Sequence, residues 1–354
     1  MTILSTGDDD IKTAADALRE GRLVAFPTET VYGLGAAAFD SRALARVFEA
    51  KGRPRFDPLI IHIAEPGAAA RVANLDVLSA QVRGNFAILS SKLWPGPLTF
   101  ILPKRPEVPD LATSGLPTVA IRFPAHPVAQ HLIALSTGAV AAPSANPFGG
   151  LSPTTAEHVK DGLGERVDFI IDGGPARVGV ESTVLDLSAG PPRILRPGGT
   201  PREAIEALIG PVLSGSGAAG AGSLPVSSPG RLKSHYAPRT PLLLHTPQEM
   251  AALPYNAQEG YLFFSAAACE TWLESQSLPA NAAGPAAAVQ SLSGAASAVE
   301  AAAGLFQALH RLDALGLARI HAERAPGAGL GPAINDRLER ASLKIIIKTN
   351  LWSI

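Results

Sequence analysis

Ile11, Ala14, Ala15 and Leu18 recur at helical spacing after Asp10 and stop at Gly21, which predicts an amphipathic first helix. Arg22 to Phe26 then reads as a short buried strand. A second apolar stripe, Leu44, Val47 and Phe48, opens at Ser41 and ends at Gly52, and "PLIIHI" (Pro58 to Ile63) follows as a near-continuous buried strand. Further strands are predicted at "LTFIL", "TVAIRF", "AVAAP", "VDFIID", "STVLDL" and "RILR". Thr154 with Glu157, and Thr200-Pro201 with Glu203, have the spacing of capping boxes and predict helix starts. Helices alternating with mostly apolar strands imply an α/β layer fold over residues 1–210.

The pattern then breaks. Pro211 to Arg231 has no apolar period and consists largely of Gly, Ser, Ala and Pro, so residues 211–235 read as a flexible linker. Beyond it, "PLLLH", a capping box at Thr246 to Glu249, "GYLFF", a helix around Leu305 to Leu315, "LARIHAE" and a helix near Ile334 to Leu343 predict a smaller α/β domain over residues 236–354.

Composition narrows the function classes. A formal net charge of −1 gives no global basic field for nucleic acid or membrane, although a local basic cleft is compatible with it. One cysteine, Cys269, excludes an internal disulfide framework, a cysteine-based zinc finger and a CxxC redox pair. The first residues lack the basic and apolar regions of a signal peptide, and no apolar run approaches the roughly 20 residues of a membrane span, so a soluble cytoplasmic protein is expected. Gly215-x-Gly217-x-x-Gly220 spells a dinucleotide-binding fingerprint, but it lies in the linker, without the strand, helix and acidic residue that such a loop requires.

The remaining polar residues gather where strands end. Pro27-Thr28-Glu29-Thr30 and Val31-Tyr32-Gly33-Leu34-Gly35 crowd hydroxyls, one carboxylate and bare backbone at one strand exit. Lys51, Arg53 and Arg55 stand between a helix end and a strand start. The helix dipole accounts for Lys51, whereas guanidinium groups pinned between prolines suit phosphate or carboxylate recognition. Arg122 sits inside an apolar strand and requires an anion, internal or from a ligand. "PSANP" (Pro143 to Pro147) with Ser152, Glu181-Ser182-Thr183 and Arg196 complete the set. No GxSxG elbow surrounds Ser144 or Ser182, and His62 within "LIIHI" reads as a core histidine.

In order, "PTETVYGLG", "KGRPRFDPLIIHI", "WPGPLTFIL", "TVAIRFPAHP", "APSANPFGGLSPT", "ESTVLDL" and "ILRPGG" resemble the YrdC-like threonylcarbamoyl-AMP synthases. The linker, "KSHYAP" (Lys233 to Pro238) and "GLGPAINDRLERAS" resemble the family's long form. The resemblance implies a YrdC-like twisted mixed-sheet N-terminal domain and a smaller Rossmann-like α/β C-terminal domain. It also implies condensation of L-threonine, bicarbonate or CO2, and ATP into threonylcarbamoyl-adenylate and pyrophosphate. Mg²⁺ would be held mostly by the phosphates, and a partner enzyme would transfer the threonylcarbamoyl group to tRNA. Lys51, Arg53, Ser144 and Asn146 correspond to the family's recurring tetrad. Thr30, His62, Arg122, the backbone of Ala142, and Ser182 correspond to its threonine site, and Arg53, Asp57, Thr118, Ser144, Ser152, Arg196 and Tyr236 to its ATP site, with Tyr236 closing over it. Asp57 stands where relatives often carry asparagine, and a carboxylate beside phosphates would need a cation or a backbone role. An RNA-binding module of the same fold is the alternative, with possible tRNA contact. A hydrogenase-maturation carbamoyltransferase would need cysteine-rich zinc fingers, which one cysteine forbids.

Overall fold

The computed structural model describes residues 1–215, 236–276 and 285–349. The described residues of Met1–Phe148, Ser152–Arg177 and Glu181–Arg231 form one compact unit, and those of Gly149–Leu151, Val178–Val180 and Leu232–Ile354 a second.

The first unit is built on β1 (Thr2–Leu4), β2 (Val24–Phe26), β3 (Gly33–Ala37), β4 (Ile60–Ile63), β5 (Leu98–Pro103), β6 (Thr118–Arg122), β7 (Ala139–Ala141), β8 (Phe169–Ile171), β9 (Thr183–Asp186), β10 (Arg193–Arg196) and β11 (Leu213–Ser214). They pair in the order β1-β8-β2-β3-β7-β4-β6-β5-β9-β10-β11, with parallel and antiparallel neighbours mixed. The helix Asp8–Arg19 buries Ile11, Ala14, Ala15 and Leu18, and three acidic residues in its first turn complement the dipole. The helix Ser41–Lys51 is capped by Asp40, one residue before the predicted start. It ends in a Schellman closure, with Gly52 at φ 61° and Arg53 N–H donating to Phe48 O.

Several details differ from the sequence pattern. β3 escapes it because its glycines hide a strand: a side chain at Gly35 would meet Phe26, Val140 and the Val24 carbonyl at 2.8–3.1 Å. Neither predicted capping box in this unit forms. Thr155, not Thr154, caps the helix Ala156–Leu163, and Thr200 donates to Pro97 O while Pro201 precedes the helix Arg202–Ile209 without a side-chain cap. The predicted linker also starts too early, since β11 pairs parallel with β10 and Val212 is buried in the core. Most of that linker, including Gly217, Gly220 and His235, lies outside the described residues.

The second unit carries β12 (Leu242–His245), β13 (Glu259–Ser265), β14 (Val289–Ser293) and β15 (Arg319–Glu323), an all-parallel sheet in the order β12-β15-β13-β14. Here the predicted capping box forms in full: Thr246 accepts from Glu249 N–H while the Glu249 carboxylate accepts from Thr246. β14 and the helix Ala266–Ser275 add to the elements read from the sequence.

Candidate active site

Alternation along the central strands of the first unit makes two unlike faces. Ile61 and Ile63 of β4, Val119 and Ile121 of β6, Leu98, Phe100 and Leu102 of β5, and Leu185 of β9 point into the main core. Their neighbours Ile60, Ala120, Ile101 and Val184, joined by Leu195, form a small separate apolar floor on the other face. Polar residues extend that floor in register, with His62 opposite Arg122 and Arg122 opposite Thr99. Thr118 begins the same row of β6, half-buried and about 13 Å from Arg122 at the strand rise.

At the carboxyl end of β4 and β6, the Arg122 guanidinium is buried and held from three sides. Nε donates to Gly96 O at 3.3 Å, Nη1 donates to Thr30 Oγ1 at 2.9 Å, and Nη2 lies 2.7 Å from Glu29 Oε1. The anion it requires is thus met internally in the free protein. The hydroxyl chain has a fixed direction. Thr28 Oγ1 donates its one proton to Val31 O at 2.6 Å, so the 2.8 Å contact between the two threonines runs from the Thr30 hydroxyl to Thr28. Thr28 also accepts from the backbone N–H groups of Thr30 and Val31, which fixes the strand exit as a hydroxyl-centred turn.

His62 is buried edge-on to Phe26. Burial, and after it the Arg122 charge, push its pKa down to about 3, so the imidazole is neutral. Its Nδ1 is buried with no hydrogen-bond partner, which departs from the satisfied core histidine expected from periodicity. Ala142 spends its N–H on Ile60 O, leaving the carbonyl as its main-chain polar group.

Ser182 lies beside this row, 2.8 Å from Thr99 Oγ1. A bulge between Ile194 and Arg196 sets Arg196 opposite Val184, where Nη2 donates to the Ser182 carbonyl at 2.8 Å and to its hydroxyl at 3.2 Å. This approach needs a bare backbone behind it: a Cβ at Gly198 would stand 2.3 Å from Glu181 O and the Ser182 carbonyl carbon. Ser152, fully buried, donates to the Glu181 carboxylate.

The cationic cluster is organised by the helix end. The Lys51 ammonium donates to the carbonyls of Ser144 and Asn146, so two members of the tetrad are reached through their main chain. Burial, and then the Arg53 guanidinium, push the Lys51 pKa well below its ordinary value, while Asp57 opposes them. Arg53 pairs with the fully buried Asp57 at 2.9 Å and donates to the Asp57 and Pro58 carbonyls, which supplies the cation Asp57 requires. Arg55 is exposed, and so is the neighbouring Phe56.

The structure therefore gathers Thr30, His62, Arg122, Thr99 and Ser182 at one end of the polar face, and Lys51, Arg53, Asp57 and the Ser144–Asn146 main chain into a second cluster. Tyr236 belongs to the second unit, where its buried ring packs 5.8 Å from Phe306 and beneath the Arg337 guanidinium. Thr99 is the residue sequence reading passes over, while Thr28 enters it only as part of the hydroxyl-rich strand exit, without a role of its own. Thr99 carries a legible signal, because it is the polar member of "LTFIL" at the alternation that also carries Arg122.

A mixed sheet whose one polar face carries a buried neutral histidine and a buried arginine, with a separate cationic cluster at a helix end, defines an α/β protein with polar groups gathered at its strand ends. The chain belongs to the Sua5/YciO/YrdC family. Residues 16–198 match the family model described as "Telomere recombination", and residues 200–342 match "Threonylcarbamoyl-AMP synthase, C-terminal domain". Two relatives named threonylcarbamoyl-AMP synthase, from Pyrococcus abyssi and Bacillus subtilis, are each 42% identical. The alignments cover 96% of this chain in both cases, and 95% and 94% of those proteins. The crystal structure of P. abyssi Sua5 complexed with L-threonine superposes with a TM-score of 0.82 at 39% identity, covering 97% of this chain and 98% of that one. These names mark it as a member of an enzyme family.

Proposed function

We propose that the protein is an L-threonylcarbamoyl-adenylate synthase, condensing L-threonine, bicarbonate or CO2, and ATP into threonylcarbamoyl-AMP and pyrophosphate for tRNA modification by a partner enzyme. The observation that carries this reading is the buried Arg122 beside neutral His62 and Ser182, a cradle for a small carboxylate, in a chain that aligns end to end with a structure holding L-threonine.

In this reading the amino acid lies across Thr30, His62, Arg122, the Ala142 carbonyl and Ser182, with its carboxylate on Arg122. The amine adds to CO2, losing a proton as the carbamate forms. A carbamate oxygen then attacks the α-phosphorus, and the bond to pyrophosphate breaks. No covalent enzyme intermediate is required, so the protein acts by positioning and by stabilising charge. Lys51, Arg53, Thr118, Ser144, Asn146, Ser152 and Arg196 serve the nucleotide end. Lys51 does so by fixing the Ser144–Asn146 loop, and Asp57 by holding Arg53. Mg²⁺ would arrive with the nucleotide, held mostly by phosphate oxygens, because Asp57 is committed to Arg53.

The test is pyrophosphate release from ATP. Release should require both L-threonine and bicarbonate, and valine in place of threonine should leave little. Equal release without threonine would remove the assignment.

A further inference from the structure

Glu29 has no role in the reaction as drawn so far, yet it is the carboxylate of the strand exit and only 7% exposed. Its contact with Arg122 is close but undirected. The charges approach to 2.7 Å, while neither Glu29 oxygen nor Arg122 Nη2 has an aligned hydrogen bond, and all three atoms are buried. Buried hydrogen-bonding capacity left unspent is costly, and for a donor and an acceptor set side by side it marks a place for something that completes both. The neighbouring orphan, His62 Nδ1, lies on the strand next to Arg122.

A group that completes an unspent guanidinium N–H and two unspent carboxylate oxygens must present an anionic acceptor and a cationic donor within a few ångströms of each other. An α-amino acid zwitterion does this; a hydroxy acid or an amino amide supplies half of it. Resting on the amino-acid reading of this site, we propose that Glu29 binds the α-ammonium group of the substrate while Arg122 binds its α-carboxylate. The internal pair thereby selects free α-amino acids and aims the amine that becomes the carbamate. His126, whose Nδ1 is also buried without a partner, is near enough to feel the Glu29 charge.

The experiment is calorimetric titration of the full-length protein with L-threonine and with its des-amino counterpart, 3-hydroxybutanoate, using wild type, Glu29→Gln and Glu29→Asp. Wild type should bind the des-amino acid about ten- to a hundredfold more weakly than L-threonine, the size expected for a lost hydrogen bond between charged groups. Glu29→Gln should lose a similar factor for L-threonine and change little for the des-amino acid. Glu29→Asp, which withdraws the charge by one methylene, should lose an intermediate factor for L-threonine alone, and it decides the matter if the glutamine variant fails to fold. Tighter L-threonine binding by Glu29→Gln would show that Glu29 merely occupies Arg122 in the free protein, and equal weakening of both ligands would show a packing role; either overturns the proposal. Unchanged L-threonine binding by the variants removes Glu29 and leaves the amino-acid site standing. Failure of wild type to bind L-threonine removes both.

Discussion

Each unit carries a chain of polar side chains on its sheet, buried in the first unit and only at His321 in the second, and the two chains differ in how they are completed. In the second unit Glu259 Oε2 lies 3.0 Å from His321 Nε2, His321 Nδ1 lies 2.9 Å from His245 Nε2, and the other Glu259 oxygen meets Arg319 at 3.1 Å. The buried His321 ring stacks on Tyr261, and both its nitrogens are used. In the first unit Glu29, His62 and Arg122 keep buried atoms without aligned partners. A finished network stabilises and specifies a core, whereas an unfinished one carries a cost that a ligand can relieve. Polar burial alone does not mark a site; unspent capacity does.

The strongest test of that contrast removes Arg122. Arg122→Ala should weaken L-threonine by about thirtyfold to several-thousandfold, the range for truncating one partner of a desolvated charge pair, with nucleotide affinity much less affected. Titration of both ligands reads the difference, and comparable losses for the two would erase the distinction between the ends of the site.

Acid should expose the unfinished histidine next. In the folded protein His62 stays neutral down to about pH 3, whereas in the unfolded chain it titrates near its ordinary value of 6.5. The unfolded state therefore binds the extra proton between those values, and stability falls as pH falls through that window, by up to about 1.4 kcal/mol per pH unit. Unfolding midpoints of wild type and His62→Gln between pH 7 and 4 should diverge, with wild type losing more. Parallel curves would contradict the neutral, buried assignment.

Thr28→Val tests the hydroxyl hub. It strands the Val31 carbonyl and two backbone N–H groups, so a loss of about 1 to 3 kcal/mol is expected, with weaker L-threonine binding because Thr30 no longer has a fixed acceptor. Thermal melts with and without L-threonine separate the two effects. The smallest change belongs to the second unit. His245→Gln should cost about 1 kcal/mol of stability and leave L-threonine binding unaltered, since the chain it shortens is already complete. A change in L-threonine affinity there would break the comparison.

Much of this architecture was legible in the sequence. Helical stripes and apolar runs located the helix Ser41–Lys51 and strands β4 to β10, because burial imposes those periods directly. Among the elements that escaped, two lack such a signal outright: β3 is written in glycines, and β11 is two residues at the edge of a Gly/Ser-rich stretch. The failed capping boxes show a second limit. Thr200 has the right spacing, but Pro97 O lies within its reach and the cap is left without it. At the site, residue types pointed to anions, yet not to which groups answer one another. Arg122 with Glu29, Lys51 with the Ser144 and Asn146 carbonyls, and Arg196 with Ser182 span separations of 93, 93, 95 and 14 residues in turn, and only the sheet order brings them together.

The two-faced weave of β4, β6 and β5 has a consequence for inheritance. Because a strand presents its residues alternately, gaining or losing one codon between Thr118 and Arg122 would carry Arg122 to the core side and turn an isoleucine or phenylalanine toward the site. A second compensating codon in the same strand would restore the faces. Within this segment the lesion least tolerated should be a three-nucleotide indel, ahead of most missense changes, and its suppressors should be indels of the same strand.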